Sequence, residues 1–329
     1  MNKQFLILFA AAVSIALIST ECKSTEGSLS PYPSIEHPED NPTSEAKIEL
    51  GRKLFFDTRL SNGDAIACVS CHRPDFAFTD HLAKAQGVEG RQTERNSPSL
   101  LNAGYLPTAM FDAHLKTLEM QVIVPIQEHT EMDMDMKTLL KKLRAIPEYS
   151  RAAKELFNRE FDAWVLTRSI SAFERSLVSL DSRFDRFYYQ KDQSALNASE
   201  KRGWKVFSDK LYCTECHAPP MFTNYKPINN GLYSDFGEDK GRFRIHHDST
   251  DIGKFKVPSL RNISLTYPYM HDGSLGNLED VIAHYSKGGN PHINKDERIV
   301  PFSISQKEQD DLLNFFEALT DTSYMKDFR

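Results

Sequence analysis

The chain has 329 residues, 40% of them hydrophobic and 26% charged, and a mean hydropathy of -0.49, which argues against an integral membrane protein and leaves room for two globular domains. Forty Lys and Arg stand against 46 Asp and Glu, a net charge of -6 with no basic block. Nucleic acid is therefore excluded as a partner, and a charged partner is expected to be cationic. Five cysteines are too few for a disulfide-stapled scaffold, so their positions at 22, 68, 71, 213 and 216 carry the information.

In chain order, Lys3 and the apolar run Phe5 to Ile18 read as a signal peptide over 1–21, with the run too short to span a bilayer. Cys22 stands where a lipoprotein is cleaved and acylated, yet Glu21 fits poorly the small residue found before such a site. A lipid anchor at Cys22 and a bystander cysteine in a soluble periplasmic protein both stay open. Residues 22–43, rich in Ser, Pro, Glu and Asp, read as a polar tether.

The other four cysteines fall in Cys68-Val-Ser-Cys71-His72 and Cys213-Thr-Glu-Cys216-His217. This is the attachment pattern for c-type haem: two thiols form thioethers to the vinyl groups and the adjacent His ligates the iron. A four-cysteine zinc site or two redox dithiols would not need a His after each pair. Two covalently bound haem c groups are expected, attached outside the cytoplasm in agreement with the leader.

The flanks of the two motifs repeat. Gly51-Arg-Lys53-Leu-Phe55 matches Gly203-Trp-Lys205-Val-Phe207, and Pro98-Ser-Leu100-Leu-Asn102 matches Pro258-Ser-Leu260-Arg-Asn262. Each half reads as a helix delivering the motif, a long loop, and a second helix returning over the haem. Ser199 is expected to cap a helix over 200–207, Asn277 one over 278–287, and Ser305 with Glu308 forms a capping box before Leu312. Residues 137–157 and 162–180 carry apolar residues at helical spacing, read as core and connector helices, and strand patterns are almost absent. The fold class is mainly α, with two tandem cytochrome-c-like domains of one covalent haem each, 44–192 and 193–329. The change falls in the polar stretch Lys191 to Ser199.

With these motifs the chain resembles the bacterial dihaem cytochrome c peroxidases and their MauG relatives. The likeness rests on residues 50–57, the two haem motifs, 95–102, 117–121, 131–132 and 255–273, and extends from about residue 45 to the C-terminus. The resemblance implies that peroxide reacts at the His72 haem, with Glu131 moving a proton between the peroxide oxygens and Gln121 orienting peroxide or water. From the residues alone, Glu131 also reads as a solvated charge in the acidic, Met-rich run 131–136. In many relatives a second His from the following loop closes the resting haem. Here His81 follows His72 by only nine residues, so a five-coordinate, open haem is expected.

At the His217 haem the family's second ligand falls fourteen residues after His271, on Tyr285, the residue type of the MauG-like branch. A phenolate would lower the haem potential. Met270 and His284 are competing ligands, and Tyr285 also reads as plain core. Phe111, at the family's bridging Trp position, and His271 are both assigned to the inter-haem region, and His114 is read as a propionate partner or a surface residue. The resemblance also places Ca2+ between the domains, on Asn96, Thr266 and Pro268.

The function expected is a periplasmic peroxidase reducing hydrogen peroxide with electrons from a small donor protein, cytochrome c or cupredoxin, or from the quinol pool. The alternatives are a MauG-like oxidase acting on a protein or organic substrate through a ferryl state, and a non-catalytic electron-transfer cytochrome. The resemblance also allows a homodimer.

Overall fold

Two helix crossings, built alike, organise the molecule. In the computed structural model, which describes residues 30–328, α1 (Glu45–Phe55) begins at Ser44, whose hydroxyl accepts from Lys47 N–H. It ends with Arg52 and Lys53 against the negative end of the helix dipole. The expected signal peptide 1–21 and Cys22 lie outside the described residues.

After the single turn α2 (Cys68–Cys71) and a long irregular stretch come α3 (Leu118–Gln121) and α4 (Ile123–Gln127). The expected 137–157 helix is two, α5 (Met136–Arg144) and α6 (Pro147–Phe157). Pro147 cannot donate a backbone hydrogen bond, so it opens the second helix instead of continuing the first. The 162–180 segment forms α7 (Ala163–Ser176), capped by Asp162 and four residues shorter at its end than expected. Next come α8 (Arg183–Tyr188) and α9 (Ala198–Lys205). The cap of α9 is Asn197 in a capping box with Glu200, not Ser199, whose hydroxyl instead donates to Asp311 at 2.5 Å. β1 (Pro227–Ile228) pairs antiparallel with β2 (Phe255–Lys256), α10 (Phe243–His246) lying between them. Then α11 (Leu278–Ser286) starts at Asn277 and α12 (Gln306–Ala318) at the Ser305–Glu308 capping box, both as expected.

α1 crosses α7 at Gly51, where a Cβ would lie 1.9 Å from Ser169 O, and α9 crosses α12 at Gly203, where one would lie 1.9 Å from Asp311 O. Only a residue without a side chain lets the backbones approach so closely, which is why the repeat keeps both glycines. Phe173 and Phe315 stand at matching places beside the two crossings.

Each crossing seeds an apolar core. The first holds Leu54, Phe55, Phe78, Leu139, Leu143, Phe161 and Phe173, and the second Phe184, Phe207, Phe222, Phe315 and Leu319. The cores exchange segments: Phe184, upstream of the second motif, belongs to the second core, and the C-terminal Tyr324 belongs to the first. Two buried bidentate ion pairs tie elements together. Arg175 of α7 grips Glu119 of α3 at 2.6 and 2.9 Å, and Arg261 grips Asp185 of α8 at 2.9 and 2.8 Å.

Candidate active site

Both motifs fold into one tight turn with the His at its end. His72 N–H donates to Cys68 O at 3.0 Å, and His217 N–H to Cys213 O at 2.8 Å. The rings are held the same way. His72 Nδ1 meets Phe78 O at 3.0 Å and His217 Nδ1 meets Phe222 O at 3.1 Å, both carbonyls belonging to fully buried Phe residues in left-handed backbone. A carbonyl can only accept, so Nδ1 carries the proton and Nε2 is left to bind a metal. Burial pushes both imidazoles below their usual range, His217 to about 4, which keeps them in the neutral, ligating form. The four cysteines are unpaired thiols, and burial raises Cys71 and Cys213 to about 12. Among the described residues no group of three or more His, Cys, Asp or Glu converges as a metal cage, which disposes of the four-cysteine zinc site.

Both motifs open into one cavity of about 1110 Å³, beyond the ~300–1,000 Å³ of an ordinary ligand pocket. Its walls, the paired thiols and the two oriented imidazoles fit two covalent haems. On the His72 side it is lined by Gln121 from α3, by Val122 and Pro125, and by Glu131 from the loop after α4. Burial first, and the neighbouring Glu128 second, push the Glu131 carboxyl up to about 7. It is therefore poised between proton donor and acceptor near neutrality, which a freely solvated charge would not be.

Sequence reasoning passed over Glu174 on α7. It is 5% exposed, lines the same cavity, leaves Oε2 without a partner, and is raised by burial to about 8. From the matching Phe173 and Phe315, its place in the second half is taken by the apolar Phe316. A lone acid within the stripe of Ile170, Phe173 and Leu177 was the available signal.

On the His217 side, Tyr285 of α11 and Met270 line the cavity. Asn230 Nδ2 donates to both, at 3.3 Å to Tyr285 Oη and 3.5 Å to Met270 Sδ. His284 is turned to the Asn230 carbonyl, 3.1 Å from its Nε2.

A family model described as di-haem cytochrome c peroxidase matches residues 45–194. The methylamine utilization protein MauG of Methylorubrum extorquens is 36% identical over 290 residues, covering 87% of this chain and 81% of that protein. The chain belongs to the di-haem cytochrome c peroxidase family. The cytochrome-c peroxidase IdrP1 of a Pseudomonas species (strain SCT) is 31% identical over 351 residues, covering 96% of this chain and 92% of that one. Among solved structures, a MauG-like protein associated with microbial copper homeostasis superposes with a TM-score of 0.84 at 34% identity, covering 90% of this chain and 95% of that one.

In this di-haem peroxidase the wall between the two motifs is strongly ionic. Asp112 is fully buried and receives Arg95 and Arg244, each at 2.5 Å, while Arg95 also binds Asp239 at 2.6 and 2.7 Å. Phe111 lines the cavity, and its carbonyl accepts from Lys256 N–H at 2.7 Å. His271 stacks on Phe255 with ring centres 3.7 Å apart. His114 is one-quarter exposed, and its Nδ1 lies 3.9 Å from Asp112. Asn96, Thr266 and Pro268 all line the cavity. Asn96 Nδ2 donates to Leu82 O at 2.8 Å, which leaves its oxygen available to a cation. His81 is clamped between Phe76 and Tyr267, ring centres 4.0 Å away on each side, with Nε2 2.8 Å from Leu265 O.

Proposed function

We propose that this chain is a periplasmic peroxidase that reduces hydrogen peroxide to water with electrons from a small redox protein such as cytochrome c. The observation that carries this reading is that Glu131 and Gln121 share a cavity wall with the Cys68–His72 turn. A haem held there by Cys68, Cys71 and His72 would supply the redox chemistry of the reaction. Gln121 orients the peroxide through its amide. The Glu131 carboxylate takes the proton from the inner oxygen and returns it to the outer one, so that this oxygen leaves as water. The overall reduction consumes one peroxide, two electrons and two protons and yields two waters.

The clamped His81 supports an open N-terminal haem, and the ferric protein is expected to show a high-spin electron paramagnetic resonance signal. Its absence would overturn the open state. The haem domains are assigned to 44–192 and 193–329, with Tyr285 as second ligand of the His217 haem and Ca2+ held between them by Asn96, Thr266 and Pro268. Export follows from the leader, with Cys22 offered as a lipid anchor.

Tyr285 in the cavity favours a second reading, a MauG-like oxidase of a protein or organic substrate, while Phe111 in place of the bridging Trp disfavours it. Stopped-flow mixing with peroxide, followed by a screen of donors, separates the two. Rapid turnover with reduced cytochrome c supports the peroxidase, and a long-lived oxidised state with no donor turnover sinks it in favour of the oxidase.

A further inference from the structure

The three side chains able to close the second face of the His217 haem all converge on one residue. Asn230 reaches Tyr285 Oη and Met270 Sδ with its side-chain amide nitrogen and His284 Nε2 with its backbone carbonyl. A carboxamide has two N–H donors, and here both are committed to candidate ligand atoms. The orientation is set by the other end of the amide, since Asn230 Oδ1 accepts from Leu232 N–H at 3.1 Å. The loop beneath it is fixed as well: Gly231 N–H donates to the buried Asn229 at 2.8 Å, and Asn290 N–H donates to Gly231 O at 2.6 Å. The amide is thus a rigid post between a helix carrying Tyr285 and a left-handed turn carrying Met270.

We propose that Asn230 is the positioning residue that selects the second axial donor of the His217 haem, presenting the Tyr285 oxygen to the iron and holding back the Met270 sulfur. This rests on the reading of Tyr285 as a ligand. An N–H directed at a phenolate oxygen withdraws electron density from it, so the oxygen donates less to the metal. The phenolate-to-iron absorption then lies at higher energy, and the haem potential above that of a bare phenolate site. Sulfur is the weaker acceptor, so the same amide restrains Met270 without competing for the phenol.

The test uses the full-length protein carrying both haems, with Tyr285→Phe, Asn230→Leu and Asn230→Ser, read by absorption, electron paramagnetic resonance and potentiometry of the His217 haem. Tyr285→Phe is expected to remove the phenolate band. Asn230→Leu is expected either to shift that band to longer wavelength with a lower midpoint potential, or to replace it by a methionine-ligated spectrum. Asn230→Ser, which keeps a donor, is expected to return part of the shift. The unchanged spectrum of the His72 haem serves as the folding control. A band and potential unaltered in Asn230→Leu, while Tyr285→Phe loses the band, would overturn the selection role and leave Tyr285 as ligand. A spectrum unaltered in Tyr285→Phe would overturn the ligand assignment, and with it the role of Asn230.

Discussion

Glu131 and Glu174 face the same cavity with the same chemistry but different surroundings. Glu131 is half-buried on a loop, with its carboxyl near 7. In the proposed role of base toward peroxide it must be ionised, so the rate of peroxide reaction is expected to climb as pH rises through about 7. Replacement by Gln should lower that rate by ~10²–10⁴-fold and flatten the pH profile, both measurable by stopped flow. Glu174 is enclosed, and burial holds it neutral up to about 8. An acid whose folded pKa is raised contributes its full stability below the unfolded value, near 4.5, and loses it as pH rises through the folded one. Wild type should therefore lose stability relative to Glu174→Gln between about pH 5 and 9, by up to a few kcal/mol. Thermal melts of the two proteins at pH 5 and pH 9 check this, and a constant difference would refute it.

At the scale of elements, the crossings at Gly51 and Gly203 set how closely each helix pair packs. Gly203→Ala puts a methyl group into the space of a backbone carbonyl of α12. It is expected to cost at least ~1–3 kcal/mol in denaturant unfolding, whereas an alanine at an exposed site of α9 should be nearly neutral.

Much of this level was legible in the sequence. The haem turns were plain because thioether chemistry dictates their spacing, and Asn277 and Ser305 because a capping side chain acts within three residues. The cap of α9 was misplaced because Asn197 and Ser199 are both good caps, and only the contact of Ser199 with Asp311 on a distant helix decides between them. Asn230 lies 55 residues from Tyr285 and could not be paired with it by any local pattern. Likewise, the ionic wall around Asp112 joins residues 95, 112, 239 and 244, and its members are ordinary charges until the loops meet.

For the whole molecule, segments distant in sequence are held together by buried charge as well as by apolar contact. Arg261 is 2% exposed at its side chain and Asp185 not at all. Arg261→Leu leaves that carboxylate buried without its partner, and should destabilise by ~3–5 kcal/mol in equilibrium denaturation. The segment carrying Tyr324 and Phe328 is another such long-range tie. Tyr324 and Phe328 lie 5.9 and 5.3 Å from Phe78, ring to ring, and Phe78 supplies the carbonyl that orients His72. A chain stopped at Thr322 is expected to lose the His72 haem spectrum at a lower temperature while the His217 spectrum is kept. Equal losses at both haems would count against this.

The same contact fixes an order of events in time. A chain is made from its N-terminus, but the first haem turn rests on rings supplied much later in the chain, by Tyr324 and Phe328. The surroundings of that turn therefore wait with part of their aromatic surface uncovered until residues 324–328 are made. The second half draws its distant partner, Phe184, from chain already made, so it can close at once. Maturation should run opposite to translation, with the Cys213–His217 turn settled before the Cys68–His72 turn.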